Sequence, residues 1–326
     1  MNATRRLVAG GLLAALLAPA AASLAQEFPT KPVRVIVAYP PGGGIDILGR
    51  QLAERLSPKW GLPVIVENKP GASTILAAEM LAKSPADGHT ILLTTDSTMS
   101  INPHLFSKLP YDPQRDFAPV TLLVLLQQLL VANPALPVNT LADLVALAKS
   151  KPGTINYASY GSGSQPHLSA EMLKSKAGID LVHVPYKGIS LAVPAAIAGE
   201  VQLTFSGIAS SIAAIKAGRL KALAIGGPKR SPLLPNLPTF IELGYPEVVT
   251  HAWFGLFVPT GTPRGAIDRI YRDSVAILSE SRFRDSQIIA KGYDLVASTP
   301  QEFTAFLTQD SEMRGRAVKI SGARAE

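Results

Sequence analysis

The chain runs to 326 residues, too many for one simple core and a fit for two domains. It has no Cys, which excludes a lipidated cysteine anchor, a disulfide and a thiolate metal site. The formal charge of +7 is spread, with Asp and Glu interspersed and no Lys/Arg run, so it excludes a nucleic-acid face and leaves a mild attraction for anions at a cleft.

Arg5 and Arg6 open the chain, and Leu7 to Ala22 is almost wholly apolar. Ser23-Leu24-Ala25 then puts small residues at both recognition positions of a cleavage site before Gln26. This is the layout of a secretory signal peptide over residues 1–25, cleaved near Ala25. The apolar run of about 16 residues is short of the ~20 of a spanning helix. Export without Cys suits a bacterial periplasm, where a large core replaces disulfides.

Val33 to Ala38, bounded by Pro32 and by Pro40-Pro41, reads as a buried strand. Gly42-Gly43-Gly44 follows as a loop, and Ile47, Leu48, Leu52 and Leu56 recur at helical spacing, predicting a helix over Asp46 to Leu56. Val64 to Glu67 predicts a strand, Ala72 to Lys83 a helix, and His89 to Thr95 a third strand after the turn Pro85-Ala86-Asp87-Gly88. That alternation predicts a parallel sheet with helices on its faces. Val120 to Val131 is a long apolar stretch that fits two strands or a crossing. A second alternation follows. Helices are predicted at Leu141 to Lys149 (capped by Thr140 or Asn139), Leu168 to Ala177 and Ala192 to Ala198, with a fourth ending near Gly218. Strands are predicted at Ile155 to Ser159, Asp180 to Val184, Val201 to Ser206 and Leu220 to Ile225. Ser231 to Pro238 is a Pro-rich loop. The last third predicts a strand at Phe254 to Val258 and helices near Pro263 to Ser279 and Pro300 to Arg314. Two α/β lobes joined in this way predict a hinged clamshell, with crossings near Val120 to Gln127 and Ala222 to Gly226.

Two loops carry chemistry. Tyr39-Pro40-Pro41-Gly42-Gly43-Gly44-Ile45-Asp46 lies between a strand end and a helix start. Its glycines let backbone N–H groups turn to a ligand, and the unpartnered amides and dipole of the helix start favour a carboxylate. A phosphate loop would need Gly-Lys-Ser/Thr, which is absent. Asp46 reads as a helix cap more readily than as a ligand group. Ser159-Tyr160-Gly161-Ser162-Gly163-Ser164-Gln165-Pro166-His167 has the same setting in the second lobe, with His167 read as structural. Thr95 and Ser97, Tyr186 and Lys187, and Ser206 end further predicted strands, the place where open α/β sheets bind ligands. His89, His104, His167, His183 and His251 show no metal-type spacing, and no cofactor or metal is expected.

At these motifs the chain resembles the solute-binding receptors of tripartite tricarboxylate transporters, the Bug-type receptors. The marks are Tyr39-Pro40-Pro41-Gly42-Gly43-Gly44, Val66-Glu67-Asn68-Lys69-Pro70-Gly71-Ala72 and Ser84-Pro85-Ala86-Asp87-Gly88. They continue with Ile101-Asn102-Pro103-His104-Leu105, Leu109-Pro110-Tyr111-Asp112-Pro113, Asp116 to Val120, Asn156 to Ser159, His183 to Gly188 and Trp253-Phe254-Gly255. The resemblance implies a type II periplasmic-binding-protein fold. Lobe one would hold residues 26–122 and 226–326, and lobe two residues 123–225. It implies a periplasmic, monomeric, non-enzymatic receptor that hands a small carboxylate, such as a dicarboxylate or an aromatic acid, to membrane subunits of a transporter. The carboxylate would be pincered by Tyr39 and Pro41 to Asp46 and by Ser159 to His167. Two departures from the family pattern matter. Ile45 replaces a Thr, which makes the expected wall more apolar, and Ser206 replaces an Asp that can meet an amine. With Tyr39, Tyr160 and Pro166, they lean toward an aromatic or partly apolar acid. Two rival readings are a receptor that signals to a sensor and an esterase using Ser162 or Ser164 with His167.

Overall fold

The β-branched run after Pro32 forms β1 (Val33–Val37) in the computed structural model, which describes residues 28–186, 188–248 and 250–324. The expected signal peptide and Lys187 lie outside the described residues. Helix α1 (Gly44–Trp60) starts two residues before the expected Asp46 and ends where Gly61 turns left-handed, at φ 66°. β2 (Val64–Asn68), α2 (Ile75–Ala82) and β3 (Thr90–Thr95) complete the first alternation, followed by the short α3 (Asn102–Leu105) and α4 (Pro113–Asp116).

The long apolar stretch is one strand, β4 (Phe117–Ala132), rather than two. The second alternation is α5 (Leu141–Ser150), β5 (Asn156–Ser159), α6 (Gln165–Ala177), β6 (Val182–Pro185), α7 (Ile189–Ala198), β7 (Leu203–Gly207), α8 (Ile208–Lys216) and β8 (Lys221–Ile225). Thr140, not Asn139, caps α5: its hydroxyl accepts from the Asp143 amide at 3.1 Å, and the Asp143 carboxylate accepts from the Thr140 amide at 2.9 Å. The last part holds β9 (His251–Pro259), α9 (Arg264–Ser279), the single turn α10 (Ser281–Phe283), β10 (Tyr293–Leu295) and α11 (Pro300–Ser321).

The strands order as β2-β1-β3-β9-β4-β7-β5-β6, with β8 and β10 also on β4. β1 is parallel to β2 and β3, and β5 is parallel to β6 and β7, as the alternation predicts. β9 and β4 run antiparallel to their neighbours and join the two halves. Residues 117–127 of β4 pair with β9, and residues 128–132 with β7.

Period-2 alternation explains the continuous apolar strands. Val33, Val35 and Val37 face one core with Leu52 and Ile270, while Ile36 and Ala38 face another with Trp253 and Phe303. In the second half Leu130 and Ala132 face α5 and α6, while Leu129 and Val131 face α7 and α8. Each such fully buried Val, Leu, Ile or Phe side chain contributes about 1.5–3 kcal/mol.

The lobe boundaries are less sharp than expected. Phe240 and Val248 pack in the second half's core, so the chain returns to the first half near Thr250 rather than near Gly226. Ile101, Leu105, Ala317 and Val318 also enter that core. α11 therefore spans both halves, with Phe303 at one end and Val318 at the other.

Candidate ligand-binding site

Loop one, residues 39–46, leaves β1 at the sheet's carboxyl edge. Pro41, Gly42, Gly43 and Gly44 are exposed. Gly42 sits at φ 86°, which favours glycine, and its amide donates to Asp46 Oδ2 at 2.8 Å. Asp46 is only 2% exposed and also accepts from Arg50 Nε at 3.0 Å and Asn68 Nδ2 at 2.8 Å. Burial pushes its carboxyl up, but those donors outweigh burial and hold it below the usual carboxylate range. Asp46 is therefore not the helix cap, and its carboxylate is already engaged by donors of the protein itself. Gly43 occupies the cap position without a side-chain bond, and Asp46 clasps the loop from behind. Ile45 is likewise not a cleft wall, because its side chain is buried against Val37 and Leu48. Ile47, expected on the buried face, is 42% exposed. The amides of Gly43, Gly44 and Ile45 have no protein acceptor among the described residues, as a helix start dictates.

Tyr39 turns inward beside this loop. Its hydroxyl meets Thr95 Oγ1 at 2.7 Å and bonds Ser97, and burial raises its pKa. Tyr39, Thr95 and Ser97 are thus brought together. Deeper in, Thr98 donates to Thr74 Oγ1 at 2.7 Å.

Loop two, residues 159–167, is more committed. Ser159 is buried, and its hydroxyl lies 2.6 Å from His183 Nε2 and accepts from the Gly161 amide at 3.1 Å. The Gly163 amide donates to His167 Nδ1 at 3.0 Å, and Ser164 Oγ donates to the Gly161 carbonyl at 2.6 Å. His167 stacks on His183 at 4.1 Å, and Tyr157 stacks on the other side at 5.0 Å. Burial lowers the pKa of His167, and burial plus His167 push His183 down to about 4. Tyr160 donates to the Phe205 carbonyl at 3.0 Å. Ser162 is the exposed side chain here. A Cβ at Gly163 would collide with the Leu105 side chain, so the two halves touch at this point.

The esterase constellation does not form. His167 Nδ1 is taken by the Gly163 amide, and Ser164 bonds backbone. Two further expected contacts also point elsewhere: Ser206 is fully buried against Ser211 Oγ at 2.5 Å, and Tyr186 gives its hydroxyl weakly to Glu200 at 3.4 Å. Among the described residues no three His, Asp or Glu side chains gather as metal ligands.

A cavity of about 200 Å³ opens between the halves. It is lined by Gly44, Ile47 and Leu48 of α1, Ala209 and Ser210 of α8, and Gln287, Lys291 and Tyr293 near β10. Of these, the sequence singles out only Gly44; Ile47 and Leu48 read as the buried face of α1, and the other five lie on α8 and around the three-residue β10, where no Gly-rich loop marks them. Gly44 belongs to both loop one and the cavity, and a Cβ there would collide with the Tyr293 hydroxyl. Near β3, Arg314 is fully buried between Asp96, at 3.1 Å, and Asp310, at 3.4 Å.

The profile of the tripartite tricarboxylate transporter family receptor, TctC, matches residues 48–322. Protein BugT of Bordetella pertussis is 34% identical over 325 residues, 99% of each chain. The solved structure of R. palustris Rpa4515 with adipate is 31% identical, with a TM-score of 0.83 over 91% of this chain and 99% of that one. MatC from Rhodopseudomonas palustris with bound malate is 29% identical, with a TM-score of 0.79 over 89% of this chain and 100% of that one.

Proposed function

Because the chain belongs to the tripartite tricarboxylate transporter receptor family, whose members are periplasmic solute-binding receptors, we propose that it captures a small organic carboxylate between its two halves and delivers it to the membrane subunits of such a transporter. The observation that carries this reading is the unclaimed amides of Gly43, Gly44 and Ile45 at the exposed start of α1, beside the cavity between the halves. They offer donors and a positive dipole end to an anion. Adipate and malate in the two related structures support a carboxylate ligand. Export through the N-terminal leader would place the protein in the periplasm. Among the described residues no helix is long and apolar enough to cross a membrane.

The ligand favours closure because it touches both halves only when they approach. The lean toward an aromatic acid weakens, since Ile45 and Pro166 are buried and the hydroxyls of Tyr39 and Tyr160 turn inward.

Gly43→Asp tests the seat cleanly. Gly43 has ordinary backbone angles, φ −74° and ψ 163°, and a Cβ there meets only the Pro40 carbonyl, at 3.8 Å. The variant should fold normally yet bind adipate or malate at least about tenfold more weakly by calorimetry, a loss of about 1.4 kcal/mol. Gly43→Ala should bind as the parent does. Equal affinity in the Asp variant would refute loop one as the carboxylate seat.

A further inference from the structure

We propose that Gly292 and Tyr293 form a spacer wedged between the two halves, whose thickness sets how closely loop one and the second half approach around a ligand. This rests on the receptor reading and goes beyond it by naming positioning residues that fix the span between the carboxylate seat and the opposite wall.

The two residues face opposite ways. The Tyr293 hydroxyl lies against Gly44 of loop one, where a Cβ would collide with it. Its ring stands edge-on to Phe254 of the first half's core, at 5.7 Å, so the hydroxyl is not carried on a loose arm. Gly292 instead lies against Ile208, the first residue of α8 in the second half. A Cβ at Gly292 would come within 2.8 Å of Ile208 Cβ and 3.0 Å of its Cγ2. Ile208 is 2% exposed and packed in the second half's core, and its Cβ is fixed to the α8 backbone. That obstacle cannot turn aside as the end of a long side chain could. Gly292 has φ 71° and ends the single turn Ile289–Lys291, so glycine suits the backbone there and also gives the contact its least thickness.

The spacer is anchored at the crossing between the halves. β10 pairs Tyr293 with Leu126, Asp294 with Leu125 and Leu295 with Val124 of β4. Just beyond, between Gln127 and Gln128, β4 changes its partner from β9 to β7. A wedge placed beside the crossing acts on a short lever, so a small gain in thickness there moves the far edges of the two halves by more.

The chain has no Cys, so paired spin labels at Glu54→Cys on α1 and Lys216→Cys on α8, both exposed positions, report the distance between the halves alone. Gly292→Asn adds the Cβ, and Asn tolerates left-handed backbone better than most residues. Gly61→Asn is the control, since Gly61 has φ 66° and nothing within 4 Å of its Cβ position. Gly292→Asn should lengthen the label distance and weaken adipate or malate by about tenfold, chiefly through faster dissociation. Gly61→Asn should match the parent in both. Ile208→Ala removes two of the three nearest atoms and should recover part of the distance and part of the affinity in Gly292→Asn, which a general loss of stability would not do. If Gly292→Asn does not fold, Gly292→Ala takes its place with the same expected outcomes. Parent-like distance and affinity in a folded Gly292 variant, or an equal loss in Gly61→Asn, overturns the spacer. If the parent binds neither acid, the receptor reading fails, while the label distances without acid still decide whether this contact spaces the halves.

Discussion

His167 and His183 lie face to face under loop two, with Ser159 bonded to His183 and the Gly163 amide bonded to His167. Both rings are held neutral, His183 with a pKa of about 4 against an ordinary 6.5. Glu171 tends to raise both values and Lys174 to lower them, but burial outweighs either. The unfolded chain binds protons more readily than the fold in this range. The stabilisation is therefore complete above pH ~6.5 and is lost as pH falls toward ~4. Urea midpoints should drop between pH 7 and pH 4.5, and His183→Gln should flatten that slope. A parent midpoint that does not move across this range would contradict the assignment. Protonation would also push the stacked rings apart and disturb the loop they hold.

Among the elements, α11 carries the largest electrostatic stake. Arg314 is completely buried and faces Asp96, Asp310 and the His251 carbonyl, while Asp310 also accepts from Trp253 Nε1 at 2.9 Å. Burial raises the Asp96 pKa, whereas Arg314 overcomes burial at Asp310 and keeps it low. Arg314→Ala would leave two buried carboxylates without their cation, a loss of about 3–5 kcal/mol. Arg314→Lys should recover only part of it, because one ammonium does not reproduce the planar fork. Denaturant unfolding reads the difference directly, and a loss under about 1 kcal/mol would argue against this account. Nothing in the sequence near Arg314 announces it, since its partners lie just after β3, on β9 and on its own helix. The strands at residues 33–37 and 90–95 were legible because burial on both faces demands unbroken apolar runs. The direction of Ile45 was not legible, because it depends on where α1 begins, and glycines at positions 43 and 44 hide that start. Ser206 reads as a strand-end residue at the cleft because its partner Ser211 appears only once α8 turns back over β7.

Across the whole molecule the two halves share more than the two crossings expected from the sequence. β4, the return near Thr250 and the full length of α11 all join them, and Leu105 reaches across to Gly163. With cores linked at so many points, unfolding in urea should be a single transition. Trp fluorescence, which reports from Trp60 and Trp253 in the first half, should coincide with far-ultraviolet circular dichroism from both. Two separated midpoints would show that the halves melt independently. The general plan, two strand-helix alternations with Gly-rich loops following β1 and β5, was readable from local pattern. The cavity was not, because Gly44, Ser210 and Tyr293 come from distant parts of the chain and meet only in the fold.

The uninterrupted passage of β4 through both halves makes it a leaf spring rather than a door on pins. Were the halves to move, a paired strand of this length would spread the rotation over many small torsions rather than concentrate it at one joint. A visitor that grips one jaw leaves the spring at rest, and only one that bridges both jaws can hold it bent.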